Sequence, residues 1–314
     1  MSSHALSSPP LASRWWIYQR ERFPIFNHGA LIAAFSLSAV CFSALLRDSY
    51  HFPPLKTIVV AFLSSFLFFL QLRIADEFKD AAEDAQFRPY RPVPRGLVTL
   101  RELGVVAAVA AGLQLILALW LDPGLVLLLG VVWAYLALMT REFFVSAWLK
   151  RRPVHYLWTH MLILPLIDLY VSGCDWLPAG GLPSGLAWLL ALSFLNGVVV
   201  EVGRKVRAPE DEEFGVETYS VLWGRPGAIA VWLAAMAAAG IVAGMAGRRV
   251  YFEVLVFGIA IAVFLAAALC ALRFLRQPKQ GAGKIIETMS GVWTVLVYTS
   301  CGILPMLFYS RGAL

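Results

Sequence analysis

The sequence predicts an all-α membrane protein, a polytopic bundle of about nine transmembrane helices, and two observations support this fold class. The first is composition, since 60% of the 314 residues are hydrophobic, the mean hydropathy is +0.72 and 15% are charged. Soluble domains carry about 25% charged residues. The second is that the charges form short segments, which alternate with apolar stretches of about 18 residues or more, long enough to cross a hydrocarbon core about 30 Å thick.

Nine apolar stretches are the candidate membrane spans. In chain order they cover residues 29–46, 55–72, 103–121, 124–139, 155–172, 186–200, 227–246, 252–274 and 286–308. The polar start of the chain lacks the apolar core and small-residue cleavage site of a signal peptide, so the first span is expected to be retained. Without a tandem repeat or low-complexity linker, residues 1–314 are interpreted as one membrane domain, with 1–24 as a cytoplasmic N-terminal segment.

The basic residues are distributed unevenly between the two sets of loops. Of the 26 Lys and Arg residues, all but Arg47, Lys56, Arg248, Arg249 and Arg311 lie in the N-terminal segment and in every second loop after it. Because loops rich in Lys and Arg stay in the cytoplasm, the N-terminus is expected inside and the C-terminus outside, as in a multi-pass protein of a bacterial inner membrane. Contact with anionic lipid accounts for the net positive charge, and no nucleic-acid partner is expected.

A run of acidic residues follows the second span. If that helix continues past residue 72, Asp76, Asp80 and Asp84 recur at every fourth position and share one helical face, with Glu77 beside them. Carboxylates placed so closely repel one another. A hard divalent cation is therefore expected, and Mg²⁺ commonly combines one or two carboxylates with substrate phosphates. The basic residues that can offset part of the negative charge, and that are also candidates for binding the substrate, are Arg73, Lys79 and Arg88.

The same run has a simpler interpretation as the solvated end of a helix. In that case Lys79 would pair with Glu83, and Arg73 with Glu77, four residues apart. Two features of the context favour a binding site instead. The run ends an apolar helix, and it is followed by Arg-Pro-Val-Pro-Arg-Gly at residues 91–96.

These residues, together with the number of spans, resemble the UbiA superfamily of intramembrane prenyltransferases. The family's first motif is Asn-Asp-x-x-Asp-x-x-x-Asp, which this segment follows with acidic replacements, and Arg-Pro-x-Pro-x-Gly comes after it. The resemblance implies an isoprenyl diphosphate bound through Mg²⁺, with Arg91 near the diphosphate. The implied metal ligands, of which the three aspartates are the catalytic ones, are Asp76, Glu77, Asp80 and Asp84.

The segment after the sixth span fits the family in part. Its end, from Gly215 to Gly224, is similar to the stretch after the family's second aspartate motif. Counting back from Gly215 places the expected acids near 204, 207 and 211, of which only Asp211 is acidic. A shifted alignment uses Glu201, with Lys205 one turn later. Glu201 and Asp211 are therefore the candidate metal ligands of this segment, and Glu201 is a candidate catalytic residue.

The basic residues of this second segment offer an alternative to a second metal ion. Arg204, Lys205 and Arg207 can bind the diphosphate directly, because guanidinium groups match phosphate oxygens in a bidentate fork. The simpler interpretation is that they anchor the loop against anionic lipid. The acids at 210–213 are interpreted as a solvated turn.

Polar residues within the spans are costly in lipid and commonly face the interior of the bundle. His160 and Asp168 lie on roughly one face of the fifth span, either as groups that contact the acceptor or as a hydrogen-bonded buried pair. Asn27, near the start of the first span, is a further substrate-binding candidate. The loop at 141–153 lacks the family's usual sequence, which leaves the identity of the acceptor open.

The expected function is Mg²⁺-dependent transfer of an isoprenyl group from its diphosphate to a small-molecule acceptor within the bilayer. One alternative is a terpene cyclase of the same kind, in which a double bond of the substrate attacks the allylic cation and no acceptor takes part. A transporter, with His160 and Asp168 as an intramembrane relay, is less favoured. No paired repeat is visible, and the charges concentrate in loops rather than mid-membrane.

Overall fold

The computed structural model describes residues 10–312, and every regular element within them is helical. Eight segments in that range are long and apolar enough to cross a membrane, and a further apolar helix is shorter at 16 residues. Two of the eight are each divided into two helices, and a third is kinked at Gly224. The protein is all-α and polytopic, as predicted. The helices are α1 (Leu11–Arg22), α2 (Ile25–Leu46), α3 (Leu55–Lys79), α4 (Ala81–Phe87), α5 (Leu100–Leu121), α6 (Leu125–Thr140), α7 (Ser146–Lys150), α8 (Pro153–Met161), α9 (Ile163–Trp176), α10 (Leu186–Gly203), α11 (Tyr219–Arg249), α12 (Glu253–Arg276), α13 (Gly283–Cys301) and α14 (Ile303–Tyr309).

Several helices depart from the predicted spans. The second span was predicted to end at residue 72, but α3 continues to Lys79. The fifth span is divided at Leu162 into α8 and α9, and the ninth is divided at Gly302 into α13 and α14. Part of the predicted N-terminal segment forms α1, whose Tyr18 packs beside Ile74 of α3, while residues 1–9 lie outside the described residues.

The membrane-spanning helices form a closed circuit of neighbours. α2 contacts α3, α3 contacts α5, and the circuit continues through α6, α9, α10, α11, α12 and α13 back to α2. α9 also contacts α2 and α3, and α13 also contacts α10, which places α9 and α13 toward the centre. Helices satisfy their own backbone hydrogen bonds, so they can fill an apolar layer that offers no water.

The outer face of α5 shows how the bundle meets its surroundings. The exposed large apolar side chains of this helix include Val105, Val109, Leu113, Ile116 and Trp120. They recur three or four residues apart and therefore lie along one helical face. A continuous exposed apolar face of this length is unfavourable in water and matches the hydrocarbon interior of a bilayer.

The break between α13 and α14 lies where the chain passes closest to α2. A Cβ atom on Gly302 would overlap the backbone carbonyl of Ser38. Gly291 lies within α13, and nothing is within 4 Å of the position where its Cβ would be. Small residues allow membrane helices to approach closely, so Gly302 is required by packing and Gly291 is not.

Replacing Gly302 by alanine is expected to lower the free energy of unfolding by about 3 kcal/mol, the upper end of the range for overpacking. The overlapping atom belongs to the backbone of α2 and cannot rotate away as a side chain would. Gly291→Ala is the matched control and is expected to leave stability unchanged or slightly raised. Equal unfolding midpoints for the two variants in mild detergent would contradict this account.

Candidate functional site

The acidic run begins in the last turns of α3, at one end of the bundle, and keeps its helical spacing. The backbone N–H of Asp80 donates to the carbonyl of Asp76 at 2.9 Å, and that of Asp84 donates to the carbonyl of Asp80 at 2.8 Å. Asp80 itself leaves the helical conformation, with φ −92° and ψ 3°, and joins α3 to α4. The helix therefore continues past residue 72, which was the condition for the three aspartates to share one face.

Asp84 is buried and already neutralised by arginine. Its carboxylate is ion-paired with Arg88 at 2.6 Å and with Arg91 at 2.8 Å. Both arginines were predicted to bind substrate, and here they contact this carboxylate. A ligand that reached Asp84 would first have to displace a guanidinium group.

Asp76 and Asp80 keep carboxylate oxygens available. Both are half-buried, and their ion pairs are long: Asp76 lies 3.6 Å from Arg73 and 3.5 Å from Lys79, and Asp80 lies 4.0 Å from Lys79. Burial raises the pKa of the Asp80 carboxyl above its usual range, although the Lys79 ammonium opposes this. These two carboxylates are the ones that can accept a cation at this end of the bundle.

Two glutamates of the same run pair with residues distant in sequence. Glu77 is buried and ion-paired with Arg22 of α1, and Glu83 is ion-paired with Lys150 of α7. The four-residue pairs that the sequence allowed are not formed within residues 10–312. Since successive helical residues are rotated by about 100°, Glu77 faces α1 and lies apart from the three aspartates with which it was predicted to bind a metal.

The end of α10 brings a second set of charges to the same place. Glu201 is buried, and its two carboxylate oxygens are ion-paired with Arg204 and, at 2.9 Å, with Lys205. The Glu201 carboxylate raises the pKa of Arg204 above its usual value. Arg204 also lies within electrostatic range of Asp76. The two segments that the sequence singled out therefore meet, and we call their meeting place the charged end.

Tyr156 of α8 connects the two sets of charges, and sequence reasoning missed it. Its hydroxyl accepts a hydrogen bond from the Lys79 ammonium at 2.7 Å, and that ammonium lies 5.4 Å from the ring centroid. The Lys205 ammonium lies 6.0 Å from the same centroid and 5.5 Å from that of Tyr219. Both distances suit cation–π attraction. The one signal in the sequence was that Tyr156 precedes His160 by a helical turn.

Arg207 and Asp211 contact their own loop and its neighbours. Arg207 donates to the carbonyl of Asp211 at 3.3 Å and is ion-paired with Glu213 at 3.2 Å. The Asp211 carboxylate accepts the backbone N–H of Gly281 at 2.7 Å. Both residues were predicted to act on the diphosphate or its metal, and in the structure both hold the loop in shape.

The loop at 204–218 is also attached to the segment after α4. The Tyr90 hydroxyl donates to the Glu213 carboxylate at 2.6 Å, the rings of Phe87 and Phe214 meet edge to face at 6.0 Å, and Phe87 packs directly on Gly215. Burial raises the pKa of Glu213, but the hydrogen bond from Tyr90 and the guanidinium of Arg207 lower it more. The pKa of Glu213 therefore lies below its usual range. Glu213 therefore stays ionised at neutral pH and holds the two segments together.

The predicted intramembrane residues lie in three separate places. His160 is buried within electrostatic range of Asp76, at the charged end. Asp168 is buried elsewhere in the bundle and accepts a hydrogen bond from the Tyr298 hydroxyl at 2.8 Å. Asn27 is exposed in the first turn of α2. Within residues 10–312 no hydrogen bond joins His160 to Asp168, so the interpretation of these two as a bonded pair was wrong.

Sequence comparison identifies the family. The profile of the UbiA prenyltransferase family matches residues 34–308, which include both charged segments. The chain belongs to the UbiA prenyltransferase family. Comparison with curated proteins gives no match.

Solved structures share the UbiA fold with this chain. The apo structure of a UbiA homolog from Aeropyrum pernix K1 has 16% identity and a TM-score of 0.64, over 86% of this chain and 96% of that chain. A structure described for digeranylgeranylglyceryl phosphate synthase in membranes has 14% identity and a TM-score of 0.60, over 95% and 99%. A UbiA homolog from Archaeoglobus fulgidus, bound to DMAPP and Mg²⁺, has 12% identity and a TM-score of 0.57, over 90% and 98%.

Proposed function

We propose that the chain is an intramembrane prenyltransferase that ionises an isoprenyl diphosphate with the help of Mg²⁺ and transfers the isoprenyl group to a small-molecule acceptor. The observation that carries the proposal is the meeting of the two charged segments, because the ammonium groups of Lys79 and Lys205 lie 5.4 Å and 6.0 Å from the ring of Tyr156. The charges of Glu201 and Arg204 also act on the Asp76 carboxylate. The UbiA homolog from Archaeoglobus fulgidus supports the choice of ligand, since it is bound to DMAPP and Mg²⁺ in one structure and to GPP and Mg²⁺ in another.

The donor set at the charged end fits a Mg²⁺ ion that is shared with the substrate. No group of three or more His, Cys, Asp or Glu side chains among residues 10–312 is placed to hold an ion by itself. Asp76 and Asp80 provide two carboxylates with long, weak ion pairs. Mg²⁺ commonly uses one or two carboxylates and completes its shell with water and substrate phosphate, so these residues suit it.

The remaining residues of the charged end act on the diphosphate and its leaving charge. Bound Mg²⁺ supplies further neutralisation of the leaving diphosphate. Lys79 and Lys205 are held on the ring of Tyr156, which fixes two ammonium groups where negative charge develops. Fixed cations in a site that excludes water stabilise such charge strongly. The carbon–oxygen bond breaks, the electron pair leaves with the diphosphate, and the acceptor attacks the allylic carbon.

A terpene cyclase is the second candidate, and one observation favours it. The second segment carries Arg204 and Arg207 where the family's acids are expected, so this site differs from that of the transferases it resembles. Cyclisation would begin with the same ionisation of the diphosphate. The two activities are distinguished by whether a product forms when no acceptor is supplied.

The decisive experiment measures diphosphate release by the purified protein in lipid nanodiscs, with geranyl diphosphate (GPP) and dimethylallyl diphosphate (DMAPP) as substrates. We expect release that requires Mg²⁺ and falls to background with EDTA. A cyclic hydrocarbon formed from GPP without acceptor would favour the cyclase. Absence of both diphosphate release and Mg²⁺-dependent binding of geranyl thiolodiphosphate would refute the proposal.

A further inference from the structure

His160 has one ring nitrogen bound and the other free. Its Nδ1 lies 2.8 Å from the backbone carbonyl oxygen of Tyr156. A carbonyl oxygen can only accept a hydrogen bond, so Nδ1 carries the proton. In a neutral imidazole the proton on one nitrogen leaves a lone pair on the other. Nε2 is therefore a bare proton acceptor.

That lone pair is buried and unused. His160 is 6% exposed, and its Nε2 has no hydrogen-bond partner among residues 10–312. A buried polar atom left without a partner costs about 1–3 kcal/mol. Such a cost is commonly met at functional sites, where a ligand supplies the missing partner.

The surroundings hold the imidazole in place. The ring of Tyr156 stacks on it at 3.9 Å with an interplanar angle of 17°, and the ring of Phe143 meets it edge to face at 6.1 Å. Phe143 belongs to the turn Glu142–Phe144, whose three residues all have positive φ, at 47°, 54° and 60°. Non-glycine residues in this left-handed region are strained, and strain of this kind tends to cluster at functional sites. The strain of this turn therefore lowers stability, and the turn holds Phe143 beside the imidazole.

His160 also belongs to the charged end. Lys79, Asp76 and Glu201 all lie within electrostatic range of the imidazole, and Tyr156, on which it stacks, accepts the hydrogen bond from Lys79. The free Nε2 is thus associated with the residues that bind the leaving diphosphate in the proposed function.

We propose that His160 is the general base of the transfer reaction, and that the acceptor is a compound whose attacking atom carries a proton, such as a phenol, an alcohol or an aromatic ring carbon. The diphosphate leaves with the electrons of the carbon–oxygen bond, and the acceptor's electron pair then forms the new bond to the allylic carbon. The proton from the attacking atom passes to Nε2 and gives an imidazolium, which later returns it to water. This step rests on the proposed prenyltransferase function.

The test compares His160→Asn with His155→Asn. Asparagine at 160 can still donate to the Tyr156 carbonyl but offers no base, while His155 lies exposed on the same helix and is the matched control. The substrates are GPP and Mg²⁺ in nanodiscs, with a total membrane lipid extract and a series of phenols as acceptors. General bases contribute about 10²- to 10⁴-fold. We expect His160→Asn to lower the prenylated product about a hundredfold while diphosphate release continues and geraniol accumulates, and His155→Asn to behave as the wild type.

Two further measurements distinguish an error in the proposed function from an error in the assignment of His160. Mg²⁺-dependent binding of geranyl thiolodiphosphate by both variants shows that the site is folded. If the wild type showed neither this binding nor diphosphate release, the proposed function itself would be refuted. Nitrogen NMR of ¹⁵N-histidine-labelled protein, with the His160 signals assigned from the variant, is expected to show a proton on Nδ1 and none on Nε2. A proton on Nε2, or an unchanged yield of prenylated product from His160→Asn, would overturn the assignment of His160 as the base.

Discussion

Replacing Asp76 by asparagine is expected to lower diphosphate release from GPP by about a thousandfold, the upper end for removal of a single electrostatic stabiliser. The Asp76 carboxylate is acted on by the charges of both Glu201 and Arg204. Its ion pairs to Arg73 and Lys79, at 3.6 Å and 3.5 Å, leave oxygens free for a cation. Asparagine keeps the shape of the side chain but lacks the charge that attracts Mg²⁺.

Glu83→Gln is the control for this substitution. Glu83 lies in the same acidic run, and both it and its partner Lys150 are 49% exposed, so their ion pair contributes about 0–1 kcal/mol. The rate of diphosphate release by Glu83→Gln should stay within about twofold of the wild type, since surface substitutions of this kind have small effects. If Asp76→Asn kept a tenth or more of the wild-type rate, while Mg²⁺ was still required, the metal site would have to lie elsewhere.

The membrane spans could be predicted from the sequence because their length depends on a single dimension, the thickness of the apolar layer. The eighth span, predicted at 252–274, is observed as Glu253–Arg276. The breaks within spans five and nine were not predictable in the same way. Leu162 is an ordinary apolar residue, and Gly302 is identified only by its approach to Ser38 of another helix.

In the candidate site, too, features within one helix were predictable and contacts between helices were not. The spacing of Asp76, Asp80 and Asp84 is a property of one helix, and the structure keeps it. The partner of Glu77 is Arg22, 55 residues away in sequence, and the contact of Tyr156 with Lys79 joins two helices. Partners of this kind depend on how the helices pack, which a single sequence does not specify. The predicted set of four acidic ligands rested on local spacing and on the family resemblance, and neither of these specifies such partners.

Arg204 is the residue of the second charged segment that is best placed to bind the diphosphate. Arg204 occupies a place where the family's second motif is expected to have an acid, so a fixed guanidinium lies where a metal ligand would otherwise be. It shares the charge of Glu201 with Lys205 and keeps 39% of its side chain exposed. With five N–H donors, it can hold Glu201 and still bind a phosphate oxygen. We therefore propose that Arg204 supplies positive charge that a second cation would otherwise provide.

Arg204→Gln is expected to weaken Mg²⁺-dependent binding of geranyl thiolodiphosphate about a hundredfold, equivalent to about 2.8 kcal/mol. Arg204→Lys is expected to weaken this binding about tenfold, because lysine keeps the charge but loses the bidentate fork. Arg207→Gln is the matched comparison, three residues further along the same loop. Arg207 is already held by Glu213 and by the carbonyl of Asp211, so its loss should weaken binding by no more than about threefold, as expected when a partly exposed ion pair is lost. Equal losses from Arg204→Gln and Arg207→Gln would mean that the loop contributes only general positive charge, and Arg204 would then have no specific place in the binding of the diphosphate.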